Sequence, residues 1–421
     1  MSVSIHSFTR ELKPRSAGRF WLERFRRGFL DALSGLRHGA VQVREDGAEP
    51  LVLGEAGGPI LQANVHSPDF YRYAVLGGTV GLGEAYALGL WSAPDLVGLV
   101  RLMLRNIDHL DRLDSGLARL RLPLLKLFDW RHRNDPRRSR LNIAAHYDLG
   151  NAFFRTFLDR SLTYSSAMFR TGAETLEEAQ REKLDTVCRK LELKPGDRVI
   201  EIGSGWGSFA LHAAGRYGAQ VTTTTLSREQ HRLACERVQA AGLADRVQVL
   251  LRDYRALEGR YDKLVSIEMI EAVGHEHHPD YFRVCERLLK PDGQALIQAI
   301  VCPDQRYDLY RRSSDFIRRY IFPGGHLPSL TRLLEVATAH TRLRLFHLED
   351  FSRDYAATLA AWRKRFWERQ AEIRALGYGE VFQRLWDFYL AICEAGFAEH
   401  FNAVVQLLFV APECRRAPVR A

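Results

Sequence analysis

The sequence predicts an α/β fold: an open, Rossmann-like sheet over residues 131–421, joined to a smaller α+β domain over residues 1–130. Three observations carry that expectation. In Arg198-Val-Ile-Glu-Ile-Gly-Ser-Gly-Trp-Gly207, the apolar Val199, Ile200 and Ile202 read as a buried strand running straight into glycines, with a helix from Ser208 through Ala214. Strand-like runs then recur at Gln220–Ser227, Arg246–Tyr254, Tyr261–Ile270 and Gln294–Val301, with a late one near Asn402–Val410. A chain of 421 residues also exceeds the roughly 250–300 at which a single core stops growing.

Upstream of that sheet, Phe20–Leu33 has helical period, with Trp21, Phe25, Phe29 and Leu33 on one stripe and arginines around it. A helix packed on its own domain is the plainer reading, and membrane contact the sharper one. Alternating segments at Ala40–Val43, Pro50–Leu53 and Ile60–Val65 suggest a small antiparallel sheet, and Asp95–Asn106 a helix. Leu117–Arg140 mixes leucines, aromatics and arginines. It reads as a solvated linker or as a segment lying on an anionic bilayer, and its leucines, which need a surface to cover, favour the bilayer.

Lys and Arg number 60 against 51 Asp and Glu, a formal charge of +9. That balance suits acidic partners, nucleic acid or anionic lipid, without choosing between them. No basic groove interleaved with aromatics occurs outside residues 302–330, so no nucleic-acid partner is expected. The six cysteines form no CxxC pair, which suggests reduced thiols in the cytoplasm. Neither a signal-type apolar run nor an uninterrupted apolar stretch of ~18 residues occurs, so the chain is expected to be neither exported by that route nor membrane-spanning. With 117–140 on an anionic bilayer, its place would be cytoplasmic, peripheral on the inner membrane face. His275, His277 and His278 lie side by side in a Glu/Pro loop and present no common face, so no metal is expected.

Gly203, Gly205 and Gly207 fall where a backbone must turn tightly and let a ligand approach, with Glu201 just before the turn to face a cationic group. Such turns are common, so the identity of the ligand needs more. A nicotinamide site would want an acid at the end of the next strand, and Gln220–Ser227 ends without one. The βα rhythm instead suggests the seven-stranded sheet of S-adenosylmethionine-dependent (class I) methyltransferases.

His146–Phe154, Leu162–Phe169, the glycine turn, Thr225–Gln230 and Ile270–Gly274 fall in the order and spacing of the cyclopropane-fatty-acyl-phospholipid synthases, and the chain resembles that family over residues 68–411, including Gly83–Trp91. The resemblance implies that Tyr147, Tyr164 and Ser165 close over S-adenosylmethionine and that Gly203 and Gly205 lie beneath it. Thr225, Leu226 and Gln230 would take the ribose and adenine, and Asp253 and Tyr254 would flank the adenine. The plainer reading of the tyrosines is core packing, and of Gln230 a solvated helix face. The family's bicarbonate, which serves as base, would meet Ser166, Glu271, Gln298, Ile300 and Tyr355. Here the family's usual Cys is Ser166 and its usual His is Gln298, which has no basic nitrogen. Glu268 stands where Gly is common. Its carboxylate could fill the bicarbonate's space and act as base, which leaves bicarbonate a doubtful cofactor. The alternative is that Glu268 caps an arginine.

A sulfonium methyl added to a double bond leaves a carbocation, so the site must be dry and must offer a base. The expected reaction is methyl transfer from S-adenosylmethionine to the cis double bond of an acyl chain in membrane phospholipid, closing a cyclopropane. A hydride shift in the same cation would give a methylene or 10-methyl branch, with a separate reductase needed for the latter. Methylation of a small molecule is a further alternative. The insertion at 302–330 reads as a lipid-binding lid, with Arg311, Arg312, Arg318 and Arg319 toward phosphates or merely solvated, and Phe316, Ile317, Ile321 and Phe322 along an acyl channel. Helices over 358–376 and 380–397 would wall that channel, and the resemblance implies a possible homodimer.

Overall fold

The computed structural model describes residues 18–114, 149–313 and 315–419. Tyr147 and the stretch 117–140 lie outside them.

Helix α1 (Arg19–Ser34) sets Phe29 edge-on against Phe70 and Tyr71 of the later helix α2 (Asp69–Ala87). Between them run β1 (Ala40–Glu45), β2 (Leu51–Gly54) and β3 (Ile60–Val65), and the short β4 (Trp91–Ser92) completes a sheet ordered β2-β1-β3-β4. The expectation of an antiparallel sheet is corrected here. β1 and β3 run parallel, from Ala40↔Ile60 to Glu45↔Val65, while β2 takes the other edge of β1. The cause is a glycine crossing that carries the chain back past β1: a Cβ on Gly58 would lie 2.8 Å from Gly39 Cα, and one on Gly39 2.7 Å from Pro59 O. Then come α3 (Leu96–Arg105), capped by Asp95 Oδ1 accepting from Gly98 N at 2.7 Å, and α4 (Ile107–Asp114). α2 bends at Gly78, and beyond the bend it meets the rest of the chain. Gly83 abuts the buried rings of Phe316 and Phe388 with no room for a methyl group, and Glu84 Oε1 accepts from Tyr320 Oη at 2.6 Å.

After α5 (Asn151–Phe157) and α6 (Leu176–Lys190), the large sheet begins with β5 (Arg198–Ile202), α7 (Ser208–Tyr217), β6 (Gln220–Thr225), α8 (Arg228–Ala240) and β7 (Val247–Leu251). It continues with β8 (Tyr261–Ile267), α9 (His278–Leu288) and β9 (Leu289–Val301). Short helices α10 (Asp304–Tyr310) and α11 (Phe316–Tyr320) lead to α12 (Leu330–His340), β10 (Arg344–Asp350), α13 (Ser352–Glu368), α14 (Gln370–Ala375), α15 (Glu380–Ala398) and β11 (Ala403–Val410). Seven strands lie in the order β10-β11-β9-β8-β5-β6-β7, parallel from β5 to β9, with β11 alone reversed, antiparallel to both β9 and β10. This is the sheet of a class I methyltransferase, which puts the carboxyl ends of β5, β6 and β8 along one edge.

Three expectations shift. β7 is followed only by a single 3-10 turn at Tyr254–Ala256, a break in the expected βα rhythm. β9 starts at Leu289 rather than Gln294, because the Lys290-Pro-Asp-Gly segment slips register within the strand instead of preceding it. The helix expected over 358–376 is two helices that meet at Arg369. Among the described residues no helix is long and apolar enough to cross a membrane.

Candidate active site

The turn after β5 supplies the floor. Gly203, Gly205 and Gly207 hold φ of 99°, 48° and 84°, a left-handed region open mainly to glycine, and Gly203 N and Ser204 N both donate to Thr224 O on β6. A Cβ on Gly205 would meet nothing within 4 Å, so the space above it is open. Glu201, buried at the end of β5, accepts from Thr223 Oγ1 at 2.5 Å, and burial pushes its carboxyl up to about 7.

At the end of β6, Thr225 Oγ1 donates to Gln230 Oε1 at 2.9 Å, both residues buried, with Leu226 half-buried between them. Ser227 caps α8 by accepting from Gln230 N, so the amide is pinned by the cap and not left on a solvated face. After β7, Asp253 Oδ1 accepts from Arg255 N while Oδ2 is buried without a hydrogen-bond partner. The ring of Tyr254 is packed, edge-on to Tyr281 with the Arg255 guanidinium over it. Unsatisfied acceptors on Asp253 and Glu271, glycines that leave open space and a buried Glu201 together fit a ligand bearing hydroxyls, an amine and a positive charge, as S-adenosylmethionine does.

The wall comes from the chain before α6. Tyr164 Oη lies 3.0 Å from Tyr389 Oη, and its ring stacks on Phe322 and leans on Trp362. Ser165 Oγ accepts from Lys183 Nζ at 2.7 Å. Lys183 is fully buried, which lowers its ammonium to about 8, while Glu268, Asp159 and Glu201 hold it up.

A cluster of buried carboxyls forms where β8 ends. Glu268 takes φ 49°, and its N donates to Gln298 O at 2.8 Å. An L-residue there carries a strain of about 1–2 kcal/mol. Its side chain repays the bend with three bonds: Oε1 accepts from Ser166 N at 2.9 Å and from Gln298 Nε2 at 2.8 Å, and Oε2 accepts from Tyr355 Oη at 2.6 Å. Among the described residues no arginine bonds to it, so the arginine-cap alternative is corrected. One turn on, Glu271 Oε1 accepts from Ile300 N at 2.6 Å, and Oε2 has no partner. Burial, then the charge of Glu268, pushes Glu271 up to about 8. Burial also raises Glu268, against the pull of its three donors and Lys183. Of the two, Glu268 has the more hydrogen-bond donors to stabilise a negative charge. Ser166, Gln298, Ile300 and Tyr355, implied from dispersed segments, thus converge on two carboxyls, Glu268 and the equally implied Glu271.

The family described as mycolic acid cyclopropane synthetase matches residues 134–407. The chain is 42% identical over 353 residues, 81% of each chain, to the tuberculostearic acid methyltransferase UfaA1 of Mycobacterium tuberculosis. It is 36% identical over 345 residues, 82% of this chain and 86% of the other, to the cyclopropane-fatty-acyl-phospholipid synthase of Escherichia coli. The chain belongs to the cyclopropane synthase family. A solved structure of the mycolic acid cyclopropane synthase CmaA1, complexed with SAH and CTAB, superposes with a TM-score of 0.60 at 32% identity, over 64% of this chain and 98% of that one. Coclaurine N-methyltransferase, at 21% identity and a TM-score of 0.60, shares the fold alone.

Within this cyclopropane synthase fold, one of the four arginines expected to face phosphates or solvent needs correction, while Arg311 and Arg312 are exposed. Arg318 is buried, with its guanidinium 4.0 Å from the Tyr310 ring centroid and Nη1 donating to Tyr310 O and Ser313 O. Arg311 pairs with Asp308, and Arg319 with Glu84. Phe316 and Ile321 are core, while Phe322 turns toward Tyr164 and Tyr389. Sequence reading missed Lys183 and Gln406. The signal for Lys183 was present: with Ala179, Gln180, Leu184 and Val187 it lies on the buried face of α6, where an unpaired lysine is rare.

Proposed function

We propose that the protein transfers a methyl group from S-adenosylmethionine to the cis double bond of an unsaturated phospholipid acyl chain and closes a cyclopropane ring, with Glu268 as base. S-adenosylmethionine supplies an electrophilic methyl when bound. The residues that would hold it are Gly203, Gly205, Glu201, Thr225, Leu226, Gln230, Asp253, Tyr164 and Ser165. Methyl addition at one alkene carbon leaves the cation on its neighbour. Glu268 takes a proton from the added methyl, and the released C–H pair closes the ring onto the cation, so charge and atoms balance. The observation that carries this is the three-donor grip on Glu268, which aims the carboxylate and, with Lys183, stabilises its charge against the burial that raises its basicity. The aromatic rings of Tyr164, Trp362, Tyr389 and Phe322 exclude water and offer electron-rich faces to the cation.

Ser166 N, Gln298 and Tyr355, three of the groups that the resemblance assigns to bicarbonate, are already bonded to Glu268. The residues present do not fit a second small anion at the same atoms. A base fixed to the chain also favours a second reading. After a hydride shift from the methyl-bearing carbon, the same proton removal gives a methylene branch, which a separate reductase would saturate, and a methyl-branching relative at 42% identity supports it.

The substrate lies in a membrane, and the supporting feature is α1, whose Phe20 and Trp21 are 73% and 54% exposed near the exposed Arg24 and Arg27. The protein would work peripherally, on the inner membrane face, with 302–330 as the lid of a methyltransferase domain that begins near 131. Full-length protein is to be incubated with labelled S-adenosylmethionine and unsaturated phospholipid vesicles, anionic and zwitterionic. Hydrolysed chains one CH2 heavier, formed faster on the anionic vesicles, are expected. Resistance of that product to mild catalytic hydrogenation marks a ring, and uptake of hydrogen marks the methylene branch. No label in lipid would overturn the reading.

A further inference from the structure

A row of polar side chains crosses the otherwise apolar sheet from its edge to the buried carboxyls. Glu349 on β10 pairs in register with Gln406 on β11, Gln406 with Gln298 on β9, and Gln298 with Ile267, the residue before Glu268. Lys190, in the last turn of α6, lies over the row. Its Nζ donates to Glu349 and, at 2.7 Å, to Gln406 Oε1. Gln406 Nε2 donates to Gln298 Oε1 at 3.0 Å, and Gln298 Nε2 to Glu268 Oε1 at 2.8 Å. Lys190, Gln406 and Gln298 are 6%, 1% and 0% exposed. Burying two amides and an ammonium among Val, Leu and Ile is unfavourable unless every group is bonded, and here each link is made.

The row has only one self-consistent direction. An amide can present either end, and only its partners decide which. An ammonium only donates, so Gln406 must turn its oxygen to Lys190 and its nitrogen to Gln298. Gln298 must then turn its oxygen to Gln406 and its nitrogen to Glu268, whose carboxylate only accepts. Both ends dictate the same polarity.

We propose that Lys190 and Gln406 are positioning residues: they lock the Gln298 amide with its N–H toward Glu268 and so stabilise the ionised carboxylate from a distance. This rests on Glu268 being the base of the proposed reaction. Were the amide reversed, the Gln298 oxygen would face the Glu268 oxygen, and ionisation would be disfavoured. The other groups around Glu268 are Lys183 from α6, Tyr355 from α13, Tyr389 from α15 and Glu271 beyond β8; around Lys190 they are Glu349 and His347 from β10 and Arg170. None of these sets the direction of the two amides.

The test measures the pH dependence of kcat with full-length enzyme, S-adenosylmethionine and unsaturated phospholipid vesicles. Gln406→Glu is nearly isosteric but cannot donate, so Gln298 must turn its nitrogen to residue 406. The acidic limb of the profile is expected to move to higher pH by about one unit, a roughly tenfold loss of kcat below the limb, with KM for S-adenosylmethionine unchanged. Gln406→Met breaks the row without adding charge and is expected to move the limb the same way by less. Lys190→Met should act like Gln406→Met, and Lys190→Gln, which still offers a donor, should bring the limb back toward its original place. If the limb stays put in Gln406→Glu and Gln406→Met while kcat falls equally at every pH, the row only packs the sheet and the inference is overturned. If instead Glu268→Gln keeps full turnover, the assignment of the base fails, a result the row variants cannot mimic.

Discussion

Two adjacent strands of the large sheet, β5 and β8, both end in a left-handed bend at the same edge, and they solve it with opposite residues. After β5 the bend at Gly203 is made by glycine, and the open space above Gly205 is part of the floor. After β8 the bend is made by Glu268, at φ 49°, although glycine would relieve the strain. The difference separates a backbone that must get out of the way from one that must deliver a side chain. Strain is retained where the carboxylate is anchored on three donors, and absent where only room is needed.

The largest effect that would break this contrast concerns Glu268→Gln, which keeps shape and removes the charge. A loss of about a thousandfold in kcat is expected, with S-adenosylmethionine affinity unchanged by calorimetry. Next, Glu268→Gly makes the β8 bend resemble the β5 bend and leaves Ser166 N, Gln298 and Tyr355 Oη as donors around a carboxylate-sized space. Its low turnover is expected to rise at least severalfold with added bicarbonate or formate, whereas wild-type activity stays flat across the same titration. The converse change, Gly203→Ala, forces a side chain into φ 99° with its Cβ 3.0 Å from Met269 Cγ. A loss of about 1–3 kcal/mol in unfolding free energy and weaker S-adenosylmethionine binding are expected, with the chemical step little altered.

The smallest expected effect is on stability against pH. Burial raises Glu271 from 4.5 to about 8, so the folded chain holds a proton that the unfolded chain releases. That group's contribution is fully present below pH 4.5 and lost as pH rises to about 8. Glu271→Gln removes the titration, so its melting temperature should fall less than the wild type's across that window. A parallel fall in both would show that Glu271 is solvated in the folded protein.

The β5 bend was the more legible of the two in sequence, because strand, glycines and helix are contiguous and local sterics dictate them. Glu268 was legible only as a departure from a family pattern, and its partners come from the segment before α6, from β9 and from α13, which no local pattern joins. β10 went unread because an edge strand of composition Arg-Leu-Phe-His-Leu-Glu-Asp keeps no clean alternation, its register slipping between Leu345 and His347. The parallel pairing of β1 with β3 was hidden for another reason: short alternating runs give strands but not their order, which two glycines at the crossing decide.

Gly83 carries one more consequence. With Phe316 and Phe388 closed against its Cα and Glu84 tied to Tyr320, the second half of α2 and helix α11 are bolted together as a single mechanical part. Any displacement of α11 must therefore carry the second half of α2 with it or break the hydrogen bond between Tyr320 and Glu84.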